Sequence, residues 1–511
     1  MEKPPTPGAT PHVLILPFPA QGHIKPTLCL AQLISSAGLR VTFLNTHHNH
    51  DHLSGDLRAL ASQFPDLHFA AIADGLPPDH PRTVDRFPEL VQSIKTTMKA
   101  NLREFLLLRK VELPVTCVIA DGHMSIGIEV AEELGIHAMS SLAYGAFSLW
   151  TYFCLPKLID EGKIPFAESD RDLDEKIGLP GMEELLRWRD LPSFCRKKDQ
   201  LEHPYSMFNF FLEESKAVAR ASSIILNTFD DLEAPILNAQ IYPKFSIYTV
   251  GPIHDLVKSQ VVSDSLQPSE SPAPLSGSLW MQDRSCMTWL DSQLLRSVVY
   301  ITFGSLVKLS VHQLWEFWHG LVKCAIPFLW VIRPDSIIRE DGDDEASLLH
   351  LKEVLGFHLH SARRRVNMEI FLSIAAAGTE DKSCMIEWAP QEEVLAHPAV
   401  GGFVTHGGWN SVLEAITAGV PMLCWPQFAD HHVNSRLVSE VWGIGLEMEG
   451  KLDRSTVETM VRALMEEKRE ELSRSTDRIS RLAHDSVGPS GSSTNNLKRL
   501  VEDIRKIKPK I

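Results

Sequence analysis

The first fifty residues constrain the fold most. Residues 11–17 (PHVLILP) are a short apolar run rich in β-formers, FPAQGHIKP supplies a glycine-containing loop, TLCLAQLISSAGL has the period of an amphipathic helix that stops at Gly38, and RVTFLNT is a second strand. Parallel strands need such a crossover, so a chain opening in this way predicts a parallel sheet covered by helices. The pattern recurs in VTCVIA (115–120), which ends at Asp121 and leads through SIGIEVAEEL to HAMSSL, and further strands follow at 223–227 and 247–250. A second series begins with SVVYITF (297–303) and continues through FLWVIR (328–333), CMIEW (384–388), GGFVTH and PMLCWP. The stretch between the two series is dense in Ser and Pro and reads as a linker or long surface loop. We therefore expect two Rossmann-like α/β domains facing across a cleft, at 1–255 and 284–480. A linker at 256–283 would join them, and a C-terminal helix at 481–511 would pack back on the first.

Composition narrows the classes of function. The 511 residues give room for two or three domains of roughly 100–200 residues each. Fifty Lys and Arg against 65 Asp and Glu leave a formal charge of −15, which argues against a nucleic-acid partner, since that would need a basic stripe. The eight cysteines are scattered with no C-x-x-C pair, the usage of a reducing compartment, and the N-terminus has no apolar core of a secretory signal; a cytoplasmic protein is expected. Residues 134–156 carry no Asp, Glu, Lys or Arg over about a bilayer's length. They include His137, Ser140, Ser141, Tyr144, Gly145, Ser148 and Thr151, however, and read as a buried strand, loop and helix rather than a membrane span.

Two groups of residues carry chemistry. In the block 388–431, GGFVTHGGWNSVLEAI is a strand, a glycine turn and a helix whose first turn holds Asn410 and Ser411. Free N–H groups and the positive end of the helix dipole make such a turn receptive to phosphate, and His406, Asn410 and Ser411 could add hydrogen bonds there. Many α/β proteins turn with glycine, so the turn alone does not assign a site. The second group is His23, in the loop after the first strand, with Asp121 at the end of a later one. Sites in open α/β sheets form beyond the carboxyl ends of strands; an imidazole there can take a proton from an attacking hydroxyl, and a carboxylate on its other nitrogen would fix the tautomer. The alternative is a structural histidine. His47, His48, His50 and His52 in THHNHDHL fit no familiar zinc spacing and read as a polar loop, and Asp341–Asp344 reads as a solvated loop. No metal is expected.

The block 388–431 resembles the 44-residue nucleotide-sugar signature of plant family 1 UDP-glycosyltransferases: WAPQ, then HGGWNS, then Glu414, then PQFAD are matched position by position. PFPAQGH, the D-G after CVIA, PGM with RDLP, LNTFDDLE, YTVGP and YITFGS extend the resemblance over nearly the whole chain. GLPPDHPR, DRSCMTWLD and LWVIRPDSI are most similar to the branch containing 7-deoxyloganetic acid glucosyltransferases, which glucosylate iridoids. The resemblance implies a GT-B fold and inverting transfer of a hexose, most readily glucose, from a UDP-sugar to a hydroxyl or carboxyl of a small plant metabolite, with no metal. It implies that His23 is the base and Asp121 its partner, that Trp388 stacks on uracil, and that Ala389 offers backbone hydrogen bonds. Gln391 and Glu414 would hold the ribose, Ser305, His406, Asn410 and Ser411 the diphosphate, and Trp409 and Asp430 would face the sugar. For Trp409 plain packing is the alternative. An acceptor wall of Met124, Tyr144, Phe147, Trp150, Phe194 and Phe208 suits an apolar aglycone, although each could equally be core. The partners implied are UDP-glucose or UDP-galactose and a small apolar aglycone, with no nucleic acid and no membrane insertion, for a monomer. A nicotinamide or flavin oxidoreductase would also show βαβ units, but no G-x-G-x-x-G follows the first strand.

Two departures stand out. The signature usually ends in Asp-Gln with the glutamine on sugar hydroxyls, whereas here Asp430 is followed by His431, which in the family has been associated with galactose donors. And residues 354–377 (VLGFHLHSARRRVNMEIFLSIAAA) interrupt the usual link into the signature. They read as a retained in-frame intron or gene-model artefact, with a lineage-specific loop as the alternative and a folded but inactive product as one consequence.

Overall fold

The computed structural model describes residues 11–109, 113–196, 205–239, 245–264, 277–333, 336–338, 382–448, 450 and 452–508. The chain forms two compact units, Met1–Leu279 with Arg481–Ile511, and Trp280–Ser480.

The first unit is built on seven parallel strands: β1 (His12–Leu16), β2 (Arg40–Thr46), β3 (Leu67–Ile72), β4 (Cys117–Asp121), β5 (His137–Leu142), β6 (Ser223–Leu226) and β7 (Ser246–Thr249). Their order across the sheet is β3-β2-β1-β4-β5-β6-β7. β1 is buried along its whole length, as expected for a parallel strand covered on both faces. The helix Gln21–Ser36 buries Ile24, Leu28, Leu30, Ala31, Leu33 and Ile34. Ile24, Leu28 and Leu33 pack in one core with Val13, Ile15 and Val41 of the sheet and with Leu497, Leu500, Val501 and Ile504 of the terminal helix Ser492–Lys506. That helix is also tied by Tyr248, whose hydroxyl donates to Asp503 Oδ2 at 2.8 Å.

The second unit carries β8 (Val298–Thr302), β9 (Leu309–Ser310), β10 (Phe328–Val331), β11 (Ile337–Ile338), β12 (Ser383–Ile386), β13 (Val400–Thr405), β14 (Met422–Cys424) and β15 (Gly445–Glu447). Six of them form a parallel sheet in the order β12-β10-β8-β13-β14-β15, and β9 pairs with β11. The helix Val311–Cys324 starts on a capping box, Ser310 accepting from Gln313 N–H and Gln313 from Ser310 N–H, and buries Leu314, Phe317, Trp318 and Leu321 against the sheet.

Two expectations change. The segment 256–283 does not begin as a linker: a helix runs over Ile253–Asp264, because Ile253 and Leu256 bury themselves in the core beside the first helix, a packing gain that Ser/Pro content does not register. The remainder of its Ser/Pro-rich portion, 265–276, lies outside the described residues, as do 354–377 and Asp341–Asp344. The histidines of THHNHDHL form a short helix, His47–His52, rather than a loop, since the Thr46 side chain accepts from Asn49 N–H and caps it. No helix among the described residues is long and apolar enough to cross a membrane.

Candidate active site

In the first sheet the chain order reverses at β1, which lies between β2 and β4, with Leu16 level with Ala120. Such a switch point opens a crevice beyond the carboxyl ends of the strands. His23 stands there in the first turn of its helix, its N–H on Ala20 O at 2.9 Å, and Asp121 is the last residue of β4. His23 Nδ1 is 2.9 Å from Asp121 Oδ2; the His23 side chain keeps 16% of its surface exposed and that of Asp121 only 1%. Burial alone would raise the Asp121 carboxyl, but the His23 ring and the N–H of His123 (2.9 Å to Oδ1) outweigh it and leave the group below its ordinary value. An ionised Asp121 fixes the proton on Nδ1 and leaves the lone pair on Nε2.

Aromatic side chains close around this pair. The Phe18 ring is 5.1 Å from His23 and the His123 ring 4.9 Å. His123 lies 5.4 Å from Tyr144, 5.7 Å from Phe210 and 5.0 Å from Phe211, and Phe211 stacks on Phe194 at 4.5 Å. The helix Met207–Val218 brings Phe210 and Phe211 here because its buried Glu214 accepts from Ser125 N–H at 2.6 Å and pairs with Lys95. Of the residues expected to wall an acceptor, Tyr144 and Phe194 belong to this group. Met124, Phe147 and Phe208 are buried on flanking segments, and Trp150 donates to Pro180 O at 2.7 Å. Sequence reasoning passed over Phe18, His123, Phe210 and Phe211. His123 was within reach of the rule that found Asp121, since it stands two residues beyond the same strand end. Burial, then the neighbouring His23 ring, push its imidazole down to about 3, so it is neutral.

The second sheet switches at β8, flanked by β10 and β13, with Thr302 level with Thr405. Ser305 follows β8 and the His406-to-Ser411 turn follows β13. Glycine is required on both sides of the His406 ring: Gly304 has φ +70°, and a Cβ there would sit 2.6 Å from the ring, while one on Gly408 would be 2.4 Å from Nε2. The helix Trp409–Ala418 starts directly after Gly408, with Asn410 and Ser411 in its first turn. Gln391 Nε2 donates to Glu414 Oε2 at 2.6 Å and to Ser411 Oγ at 3.0 Å, joining three of the expected site residues. Trp388 is partly exposed with its ring 4.7 Å from that of Trp280, and Ala389 is buried. Trp409 is buried with its ring 6.2 Å from Trp442. Asp430 Oδ2 accepts from Asn434 Nδ2 at 2.8 Å. His431 is buried 4.7 Å from the His406 ring, its Nδ1 accepting from Phe428 N–H at 3.4 Å.

Burial, reinforced by the Arg333 guanidinium, lowers His406 to about 4, and burial takes His431 well below its ordinary value. Both rings are therefore hydrogen-bonding groups without charge. The charge comes from Arg333, which sequence reasoning missed although it too follows a strand end, that of β10. It is buried, donates to the carbonyls of Ser305 and, at 3.4 Å, Val307, and places its guanidinium 5.5 Å from the Trp280 ring.

Comparison with known proteins gives this geometry a context. Residues 375–489 match the UDP-glucoronosyl and UDP-glucosyl transferase family, and residues 10–154 match the glycosyltransferase N-terminal domain. The chain is 41% identical over 504 residues to 7-deoxyloganetic acid glucosyltransferase of Catharanthus roseus, covering 97% of this chain and 98% of that protein. It is 44% identical over 483 residues to mogroside I-A1 synthase of Siraitia grosvenorii, covering 93% and 85%. Among solved structures, Os79 from O. sativa in complex with UDP superposes with a TM-score of 0.74 at 25% identity, covering 96% of this chain and all of that one. Medicago truncatula UGT71G1 complexed with UDP-glucose superposes with a TM-score of 0.73 at 23% identity, over 97% and 98%. With parallel α/β sheets in both units, family matches in both, and likeness along almost its whole length, the chain is a GT-B enzyme and belongs to plant family 1 of the UDP-glycosyltransferases.

Proposed function

We propose that the protein transfers glucose from UDP-glucose, with inversion and without a metal, to a hydroxyl or carboxyl of a small apolar plant metabolite of iridoid or monoterpenoid kind. The observation that carries the proposal is the His23–Asp121 pair at 2.9 Å, set among Phe18, Tyr144 and Phe210. His23 Nε2 takes the acceptor proton as the acceptor oxygen bonds to the anomeric carbon. The bond from that carbon to the diphosphate breaks, its electron pair leaves with UDP, and the α linkage becomes β. Asp121 holds the imidazolium that results. A carboxylate acceptor needs no deprotonation, and His23 then only orients it.

On the donor side Trp388 would stack on uracil, with Ala389 on its edge and Gln391 and Glu414 on the ribose. Ser305, His406, Asn410, Ser411 and the N–H groups opening the helix Trp409–Ala418 would hold the diphosphate, where fixed dipoles meet the charge that develops. Trp409, Asp430 and His431 would face the hexose. The relative named for 7-deoxyloganetic acid supports the acceptor class. His431, in place of the usual glutamine, supports UDP-galactose as the second reading. The eight cysteines are all unpaired thiols, which supports a cytoplasmic site of action; we propose a monomer, to be read by size-exclusion chromatography.

The test is UDP release by purified protein with UDP-glucose and, separately, UDP-galactose, against iridoid, monoterpenoid and phenolic aglycones, with EDTA present, and with residues 354–377 kept or deleted. Turnover with UDP-glucose and an iridoid acid supports the proposal. Turnover with UDP-galactose alone replaces the donor, and turnover only after the deletion assigns inactivity to that segment.

A further inference from the structure

His123 has no role in the chemistry above, and its surroundings are unusual for a polar ring. Its side chain is enclosed by Phe210, Phe211, Tyr144 and His23. The residue is 8% exposed, and Nε2 is buried with no hydrogen-bond partner among the described residues. An unmet buried imidazole nitrogen is destabilising, and a phenylalanine would fill the same aromatic cage without leaving one. The position keeps a ligand-type nitrogen instead. One ring nitrogen of His23, one of His123 and a carboxylate oxygen of Asp121 all lie within 4.8 Å of one another. Two imidazoles and one carboxylate, with a fourth position left for water, is a donor set that zinc accepts, and neutral rings with one carboxylate leave a net charge of +1 that a bound hydroxide would cancel.

We propose that His23, Asp121 and His123 form an inhibitory binding site for zinc or a similar borderline divalent ion. The backbone already holds the three residues together: Asp121 ends β4, the N–H of His123 donates to Asp121 Oδ1 at 2.9 Å, and Met124 N–H turns back onto Asp121 O at 2.8 Å. His23 is the partly exposed member, through which an ion enters. A cation held here takes up both a ring nitrogen of His23 and the carboxylate that orients it, so proton abstraction stops while the donor-binding residues of the other unit are untouched. The inhibition, though not the binding, rests on His23 being the base.

The experiment titrates the full chain with Co2+ alone and then with Zn2+ in competition, following the visible absorption of tetrahedral cobalt, and in parallel measures UDP release with and without Zn2+. One equivalent should bind, EDTA should restore turnover, and H123F, H123Q and H23A should each weaken binding at least tenfold. The H48A variant removes another close pair of histidine rings (4.5 Å) and should leave that equivalent in place. H123Q retains a polar side chain of similar size should H123F fail to fold. Absence of a bound equivalent, or binding unchanged in H123F and H123Q, overturns the site. Stoichiometric binding with unimpaired turnover overturns the inhibition, and an active H23A would overturn the base assignment without altering the binding result.

Discussion

The two sheets reverse their strand order in the same way, β1 between β2 and β4 in one unit and β8 between β10 and β13 in the other, yet the crevices they open are chemically opposite. At the first, the strand ends carry an imidazole and an ionised carboxylate in contact, walled by aromatic rings. At the second, they carry two neutral imidazoles, glycines that leave room for the His406 ring, the opening turn of a helix and a buried guanidinium. In the function proposed above, the first moves a proton and the second holds an anion. One topology supplies the place twice, and the side chains decide the chemistry.

That contrast can be broken at several points. The largest effect is expected at Asp121: in D121N the neutral amide no longer fixes the His23 tautomer or stabilises its charged form, and kcat should fall by about 10²-fold or more with the affinity for UDP unchanged by titration calorimetry. In the second crevice, G408A pushes a Cβ to within 2.4 Å of His406 Nε2. Displacing that ring should cost about 2 kcal/mol of donor binding, read as a KM for the UDP-sugar raised roughly thirtyfold at little change in kcat. If the second crevice binds charge through Arg333, R333M should weaken UDP about tenfold while uridine, which lacks the diphosphate, keeps its affinity; equal loss of both would make Arg333 merely structural.

Outside both crevices the expected effect is on stability and leaves the chemistry of either crevice untouched. His12 is lowered to about 4, by burial first, against the opposing pull of its bond to Leu113 O. The unfolded chain binds that proton near pH 6.5 and the native one only near 4, so stability falls as pH drops through that window, by at most about 1.4 kcal/mol per unit. Urea midpoints measured from pH 7 to 4 should fall less steeply in H12Q than in the unaltered protein.

Much of this was legible in the residues. The βαβ opening showed the first crevice because an apolar run, a glycine and a helical period are local signals, and Asp121 was found by its place at a strand end. Gln391 and Glu414 lie 23 positions apart, and only the signature joined them before their 2.6 Å hydrogen bond did so. The aromatic group was not readable, since Phe210 and Phe211 reach His123 through the Glu214–Ser125 bonds between two helices, and no spacing along the chain encodes that. The helix Ile253–Asp264 was hidden by the Ser/Pro-rich residues after it, whereas burial of Leu256 decided its structure. Trp280 was lost beside the same stretch, and its place against Trp388 and Arg333 exists only in the folded unit.

The central claim is that proton transfer and nucleotide binding are assigned to different crevices. The direct measurement is turnover and UDP affinity of H23A side by side with the unaltered enzyme. The account predicts turnover reduced by about 10²–10⁴-fold with the UDP dissociation constant unchanged; retained turnover, or a matching loss of UDP binding, would contradict it.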